Sequence, residues 1–203
     1  SSTTATASVT VTSVNDSPVA ANAALTAIDE DVTSANNAGT LVSALVSGCT
    51  DADSNAVKGL AVVAVDEANG KWYYTVDAGV SWLSLTGVSP TAARLLKGDD
   101  ANYKVRFVPN ANYNGTATFT FRAWDQTSGT AGQTADVTTN GGTTAFSSTT
   151  ATASVTVTSV NDSPVAANAA LTAIDEDVTS ANNAGTLVSA LVSGCTDADS
   201  NAV

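Results

Sequence analysis

Residues 147–178 read SSTTATASVTVTSVNDSPVAANAALTAIDEDV, and residues 1–32 read the same. The identity continues: residues 147–203 reproduce residues 1–57 without a difference, so each position of the first copy recurs 146 positions later. A fold is maintained by hydrophobic pattern and volume and tolerates many substitutions. Identity at this level therefore points to recent duplication, not to folding constraints. The period exceeds the roughly 20–50 residues of solenoid repeats and matches the ~100–150 residues of an independent domain. The expected organisation is a string of globular repeats.

Within the repeated stretch, Ala151-Thr152-Ala153-Ser154-Val155-Thr156-Val157-Thr158 alternates apolar or small with polar residues at period two, the mark of a half-buried strand. Thr116–Trp124 places Phe119 and Phe121 on one face, and Val105 and Phe107 do the same just before it. Further strands are expected near Ala24–Ile28, Thr40–Val46, Leu60–Val65, Trp72–Val76 and Ser81–Leu85, with turns at Asn69-Gly70, Ala78-Gly79, Asn114-Gly115 and Gly141-Gly142. No stretch follows a helical period. Many short strands in one period predict an all-β, immunoglobulin-like (cadherin-like) sandwich repeated in tandem, with Tyr113 placed to make a tyrosine corner.

The only prolines of the repeated segment, Pro18 and Pro164, sit in Val14-Asn15-Asp16-Ser17-Pro18-Val19 and its copy Val160–Val165. Cutting there makes residues 1–16 the last strand and linker of a preceding repeat. Residues 17–162 then form a complete β-sandwich repeat, and residues 163–203 the N-terminal part of the next.

Nineteen acidic residues against seven basic ones, with no His, give a net charge of −12. That balance disfavours nucleic-acid phosphates and anionic membranes as partners and favours cations. All seven basic residues fall between Lys58 and Arg122, so the junction regions carry acid and no base. With no Met and no apolar run of the ~18 residues a membrane span needs, the sequence reads as an internal piece of a soluble, secreted or surface protein. Cys49 and Cys195 are one position in successive copies, so no disulfide forms within a repeat; the simplest role is a small buried hydrophobe. Without His or a paired Cys there is no usual nucleophile–base couple, and catalysis is not expected.

Three segments carry a family resemblance: Arg106-Phe107-Val108-Pro109-Asn110-Ala111-Asn112-Tyr113-Asn114-Gly115-Thr116, Phe121-Arg122-Ala123-Trp124-Asp125-Gln126-Thr127-Ser128-Gly129, and the Val-Asn-Asp-Ser-Pro-Val linker. In this order they resemble the cadherin-like tandem repeats of giant bacterial surface adhesins, including those with repeats-in-toxin tails. The resemblance implies an extender domain at the bacterial surface, in biofilm-type adhesion, that projects a terminal binding region from the cell. The Gly-Gly-x-Gly-x-Asp nonapeptide of a Ca²⁺ β-roll does not occur here.

Acidic residues cluster in Asp29-Glu30-Asp31, in Asp51-Ala52-Asp53 and in the linker Asn15-Asp16, each with its copy. Counting sandwich strands up and down puts Glu30, Asp31, Asn161 and Asp162 at one end of the repeat, where Asp197 and Asp199 of the following repeat meet them. Asn15, Asp16, Asp51, Asp53 and Asp125 gather at the other end as half of the preceding junction. Cadherins bind Ca²⁺ with the same division of labour. Carboxylates so close repel strongly at low dielectric, whereas Ca²⁺ takes 6–8 oxygen ligands, so these residues are the candidate Ca²⁺ ligands. The linker is poorer in acid than the animal Asp-x-Asn-Asp pattern, and fewer than three ions per junction are expected. The plainer alternative is that the acids are solvated turn residues; Asp66-Glu67 and Asp99-Asp100 are read that way. The partners implied are neighbouring identical repeats, or another molecule's end segments. A rival function is glycan binding by Trp72, Tyr73, Trp82 or Trp124 as a stacking platform, although aromatics at strand spacing more often belong to a core.

Overall fold

The structure is a computed structural model and describes residues 3–199. It contains two packed β-sheets, as the alternating patterns require. The first stretches of the repeat are β1 (Ala23–Ala24), β2 (Ile28–Asp29) and β3 (Thr40–Leu41), followed by a single helical turn, α1 (Val42–Leu45). Then come β4 (Gly59–Val65), β5 (Gly70–Thr75), β6 (Leu83–Ser84), β7 (Ala93–Lys97), β8 (Lys104–Pro109), β9 (Gly115–Trp124), β10 (Thr134–Ala135) and β11 (Ala151–Thr158). The larger sheet runs β1-β11-β9-β4-β7-β10, with β2 also alongside β11, and the smaller runs β3-β8-β5-β6. Strands β3, β8 and β5 thus occupy the B, E and D places of an immunoglobulin-like sandwich and β4, β9 and β11 the C, F and G places. The first strand is split, and both pieces pair in parallel with β11.

The core lies between the sheets, where the period-two pattern sends Ala117, Phe119, Phe121 and Ala123 of β9 and Ala151, Ala153, Val155 and Val157 of β11 inward. Trp72 sits at its centre, with ring centroids 4.9 Å from Phe107 and 5.1 Å from Phe119. Its indole N–H donates to the Asp66 carbonyl at 2.9 Å, so the one polar atom of the side chain is satisfied. Cys49 is buried in this core, and burial pushes its thiol pKa up, as befits a small inert hydrophobe.

A second cluster covers the outer face of the larger sheet: Ala61, Val63, Ala93, Leu95, Trp124, Val137, Ala145 and Phe146. It exists because the long connection between β9 and β11 folds back over β4 and β7. Trp72 and Trp124 are therefore both core residues and form no stacking platform.

Four expected strands differ: Ala24–Ile28 is paired only at its two ends, Ser81–Leu85 is extended only at Leu83–Ser84, and two others depart further. Thr40–Val46 is extended only at Thr40–Leu41 and then makes a helical turn. An extended chain would send Val42 and Leu45 to opposite faces, whereas one turn of helix brings both inward with Val46, and all three are buried. Residues 3–16 hold no strand, and their Val9 and Val11 are exposed. The same residues in β11, Val155 and Val157, are buried because β9, β1 and β2 flank them. Tyr113 donates its hydroxyl to the Thr116 carbonyl at 3.0 Å, so it closes the turn into β9 downstream and does not reach back upstream as a tyrosine corner would.

The second copy of the repeat start keeps its local form. Val165 bridges Thr196 as Val19 bridges Thr50, and Val188–Leu191 forms a second helical turn, α2, as Val42–Leu45 does. Its apolar side chains lack a sheet to cover them: Leu171 is 70% exposed where Leu25 is 7%. The outer limits of the expected end segments, residues 1–2 and 200–203, lie outside the described residues.

Candidate metal centre at the repeat junction

Three chain segments meet where β11 runs out into the second linker. Strand β2 pairs in parallel with the end of β11, Ile28 opposite Val157 and Asp29 opposite Thr158. That register carries Glu30 one residue past the sheet, level with the linker. Its backbone N–H donates to the Thr158 carbonyl at 3.0 Å, and its Oε1 accepts from the Val160 N–H at 2.7 Å. Asp29, facing the other way, accepts the Thr158 hydroxyl. Glu30 is thereby fixed and buried, with Oε2 free of any hydrogen-bond partner among the described residues. Two residues on, the Asp162 N–H donates to Asp199 Oδ2 at 2.8 Å, and the Asp199 N–H donates to Asp197 Oδ1 at 2.9 Å.

Carboxylate oxygens of Glu30, Asp162 and Asp199 all lie within 4.8 Å of one another. Oxygens on opposite sides of one Ca²⁺, each ~2.3–2.6 Å from it, would be separated by about that distance. The donor set is all oxygen, which suits a hard cation, and the orphaned Glu30 Oε2 is a buried acceptor that an ion would satisfy. Asp162 feels the crowding: burial raises its carboxyl pKa, and the charges of Asp31, Asp199, Glu30 and Asp197 raise it further. The other four predicted carboxylates of this junction thus all bear on Asp162. Asn161 turns its amide to the Asp162 carbonyl at 2.8 Å, and among the described residues its side-chain oxygen has no hydrogen-bond donor.

The other end of the repeat holds the matching half. The Asp16 N–H donates to Asp53 Oδ2 at 2.8 Å and the Asp53 N–H to Asp51 Oδ1 at 2.9 Å, the geometry of Asp162, Asp199 and Asp197 repeated. Asn15 Nδ2 donates to Asp125 Oδ2 at 2.9 Å, while Asp125 Oδ1 is held by the N–H and hydroxyl of Thr127. Asp51 Oδ2 is buried without a partner among the described residues. Asn15, Asp16, Asp51, Asp53 and Asp125 therefore converge as one network. Sequence reasoning missed the backbone groups that fix the two ends: the Val160 N–H that holds Glu30 at one, and at the other the Gly142 carbonyl that accepts from Ser17 N–H at 2.8 Å and the Thr143 and Thr144 carbonyls within reach of Asn15. Main-chain groups carry no signal in side-chain identity, though Gly141-Gly142 marked the turn. Asp66, Asp100 and Asp99 bond Ala68, Asn102 and Gln126, and Glu67 pairs with Lys71 at 3.5 Å, as loop acids do.

Residues 81–138 match the sequence model of a family described as bacterial Ig domain. The matched stretch spans β6 to β10 and includes all of Arg106–Thr116 and Phe121–Gly129. With the two-sheet topology it supports an Ig-like β-sandwich repeat, and domains of this kind are commonly extracellular or surface-exposed and typically non-catalytic. No curated protein and no solved structure matches the chain. Among the described residues no helix is long and apolar enough to cross a membrane.

The raised Asp162 pKa gives a pH prediction. A carboxyl whose folded pKa lies above its unfolded value favours the folded junction below the unfolded pKa, near 3.9, and that contribution is lost as pH rises through the folded value. In chelator, the linker around Asp162 should therefore loosen as pH rises from about 4 toward 7, read from amide-exchange protection factors at Val160 and Asp162, in which the intrinsic base-catalysed rise of exchange with pH is divided out. With Ca²⁺ the carboxylate form is the bound one, and the trend should reverse. The same trend in both buffers would contradict the electrostatic reading.

Proposed function

We propose that the chain is part of an extracellular spacer in a bacterial adhesin: tandem sandwiches whose junctions are closed by Ca²⁺, holding a terminal binding region away from the cell. The observation that carries this reading is the meeting of Glu30, Asp162 and Asp199 from three segments of two successive repeats. A flexible Pro-containing linker becomes a fixed joint when one ion is shared by the end of one domain, the linker and the start of the next. In that joint Glu30, Asp162 and Asp199 supply the central oxygens, Asp31, Asn161 and Asp197 flank them, and Asn15, Asp16, Asp51, Asp53 and Asp125 do the same for the preceding junction. The ion would supply positive charge and coordination only. The partners are neighbouring identical repeats, and the location is the secreted or cell-surface space, where Ca²⁺ modules bind at ~10⁻⁴–10⁻³ M.

Titration calorimetry tests the proposal. Saturable Ca²⁺ binding in that range, lost in Asp199→Asn, is the expected result. A heat trace indistinguishable from buffer, or one unaltered by Asp199→Asn, would contradict it.

A further inference from the structure

The basic residues of this acidic chain are not spread evenly over its surface. In β8, Val105 and Phe107 point into the core, so Lys104 and Arg106 stand on the outward face of the smaller sheet. Arg106 is opposite Tyr73 of β5 in register. Its guanidinium carbon lies 4.1 Å from the Trp82 ring centroid and 5.7 Å from that of Tyr73. Nη1 donates to the carbonyls of Ser34 at 3.0 Å and Asn37 at 3.2 Å.

Arg106 is only 8% exposed, yet among the described residues no carboxylate pairs with it, and its Nε has no hydrogen-bond partner. Burial lowers its pKa from the ordinary guanidinium value. A buried cation without a counter-charge is costly, and in a chain of net charge −12 the missing partner is not for want of acid. The neighbouring acid on the 75–81 turn, Asp77, is committed to Ser81 and Thr75, which hold its pKa down to about 2.

Arg106 and Lys104 form the floor of an open concavity of about 460 Å³, within the range of small-ligand sites. One wall is the 34–38 loop, the other the turn at Ala78-Gly79, and Trp82 closes one side. Among the described residues no acidic side chain lines it. The rim residues Ala35, Ala38, Ala78 and Gly79 are small and leave room for a ring, Ser34 adds a hydroxyl, and half-exposed Trp82 adds aromatic surface.

We propose that this concavity binds a carboxylated sugar, the acid unit of an extracellular polysaccharide, with its carboxylate on Lys104 and Arg106 and its ring between the two small-residue walls. Charge-assisted hydrogen bonds to a guanidinium and an ammonium are the strong term. The aromatic surface and the small rim favour a sugar ring over an acidic peptide. The site is separate from the acidic junctions and independent of the ion proposed there, so each repeat would be both spacer and contact point.

The test is titration of the whole chain with trigalacturonate, followed by amide shifts at Ala38, Gly79 and Lys104, with galactotriose and a short polyglutamate as controls. Expected are saturable binding of trigalacturonate that weakens with salt, and a loss on the order of tenfold in Lys104→Glu, the effect of one charge-assisted contact. Ala38→Trp, which fills the concavity from its exposed rim, should abolish binding, while both variants keep the parent's melting curve. Absence of saturable binding, an unaltered affinity in Lys104→Glu, or galactotriose binding as well would overturn the anion site. Polyglutamate binding as tightly as trigalacturonate would overturn the sugar assignment.

Discussion

Trp72→Ala is expected to lower the unfolding free energy of the sandwich by about 3–5 kcal/mol, against a total of roughly 5–15 kcal/mol for a domain. The size follows from position. Trp72 is fully buried, touches Phe107 from its own sheet and Phe119 from the facing one, and so links the two layers. Truncation removes most of the side chain's apolar burial and leaves a cavity walled by rings on a β-framework that cannot collapse onto it. It also removes the hydrogen bond that the indole N–H gives to the Asp66 carbonyl. Urea unfolding followed by the fluorescence of Trp82 and Trp124 reads the effect. A loss below about 1 kcal/mol, the ordinary cost of a surface change, would mean that the two layers do not depend on this contact.

About 10 mM Ca²⁺ is expected to raise the melting temperature of the chain by roughly 5–10 °C, and Glu30→Gln to remove most of that rise. A site with a dissociation constant near ~10⁻⁴ M, present only in the folded state, contributes about 2.7 kcal/mol when the ion is in hundredfold excess. Each kcal/mol is worth roughly 2–4 °C for a chain of this size. Glu30 is the informative position because one oxygen is already held by the Val160 N–H while the other is buried and unpartnered among the described residues. The substituted amide keeps the shape of the carboxylate and loses its charge. In chelator the variant should melt at or slightly above the parent, because it relieves the repulsion around Asp162. A Ca²⁺-induced rise of the same size in parent and variant would place the ion elsewhere.

Much of this architecture can be read in the sequence where one face is buried and the other is wet. Phe119, Phe121, Val155 and Val157 alternate with threonine and serine because solvent reaches the opposite face, and their strands are where period two puts them. Legibility fails where that contrast disappears. Ala93–Lys97 was not expected as a strand: Leu96 enters the main core while Leu95 enters the second cluster, so neither face is polar. The cover over that outer face comes from residues well downstream, beyond any local pattern. Val42–Leu45 fails for a different reason, since a run this short reads equally as strand or helical turn until the three-residue spacing of its buried ends is known. At the junction the carboxylates stood out because crowded acids are costly without a cation. Their alignment depends on the parallel pairing of β2 with β11 and on main-chain donors, neither of which side-chain identities encode.

Buried Arg106 is the counterpart on the basic side. Its run carried the family resemblance, yet nothing in that run foretells a guanidinium lying across Trp82 without an acid beside it.

Small-angle scattering on two complete repeats, in millimolar Ca²⁺ and again in chelator, tests the central claim most directly. Strands of about ten residues make each sandwich body roughly 35 Å long, so that a repeat with its linker spans on the order of 40–45 Å. In Ca²⁺ the account predicts a stiff particle with a maximum dimension on the order of 80–90 Å, and in chelator a broader, more flexible distribution. Superimposable curves in the two buffers would contradict the Ca²⁺-closed joint.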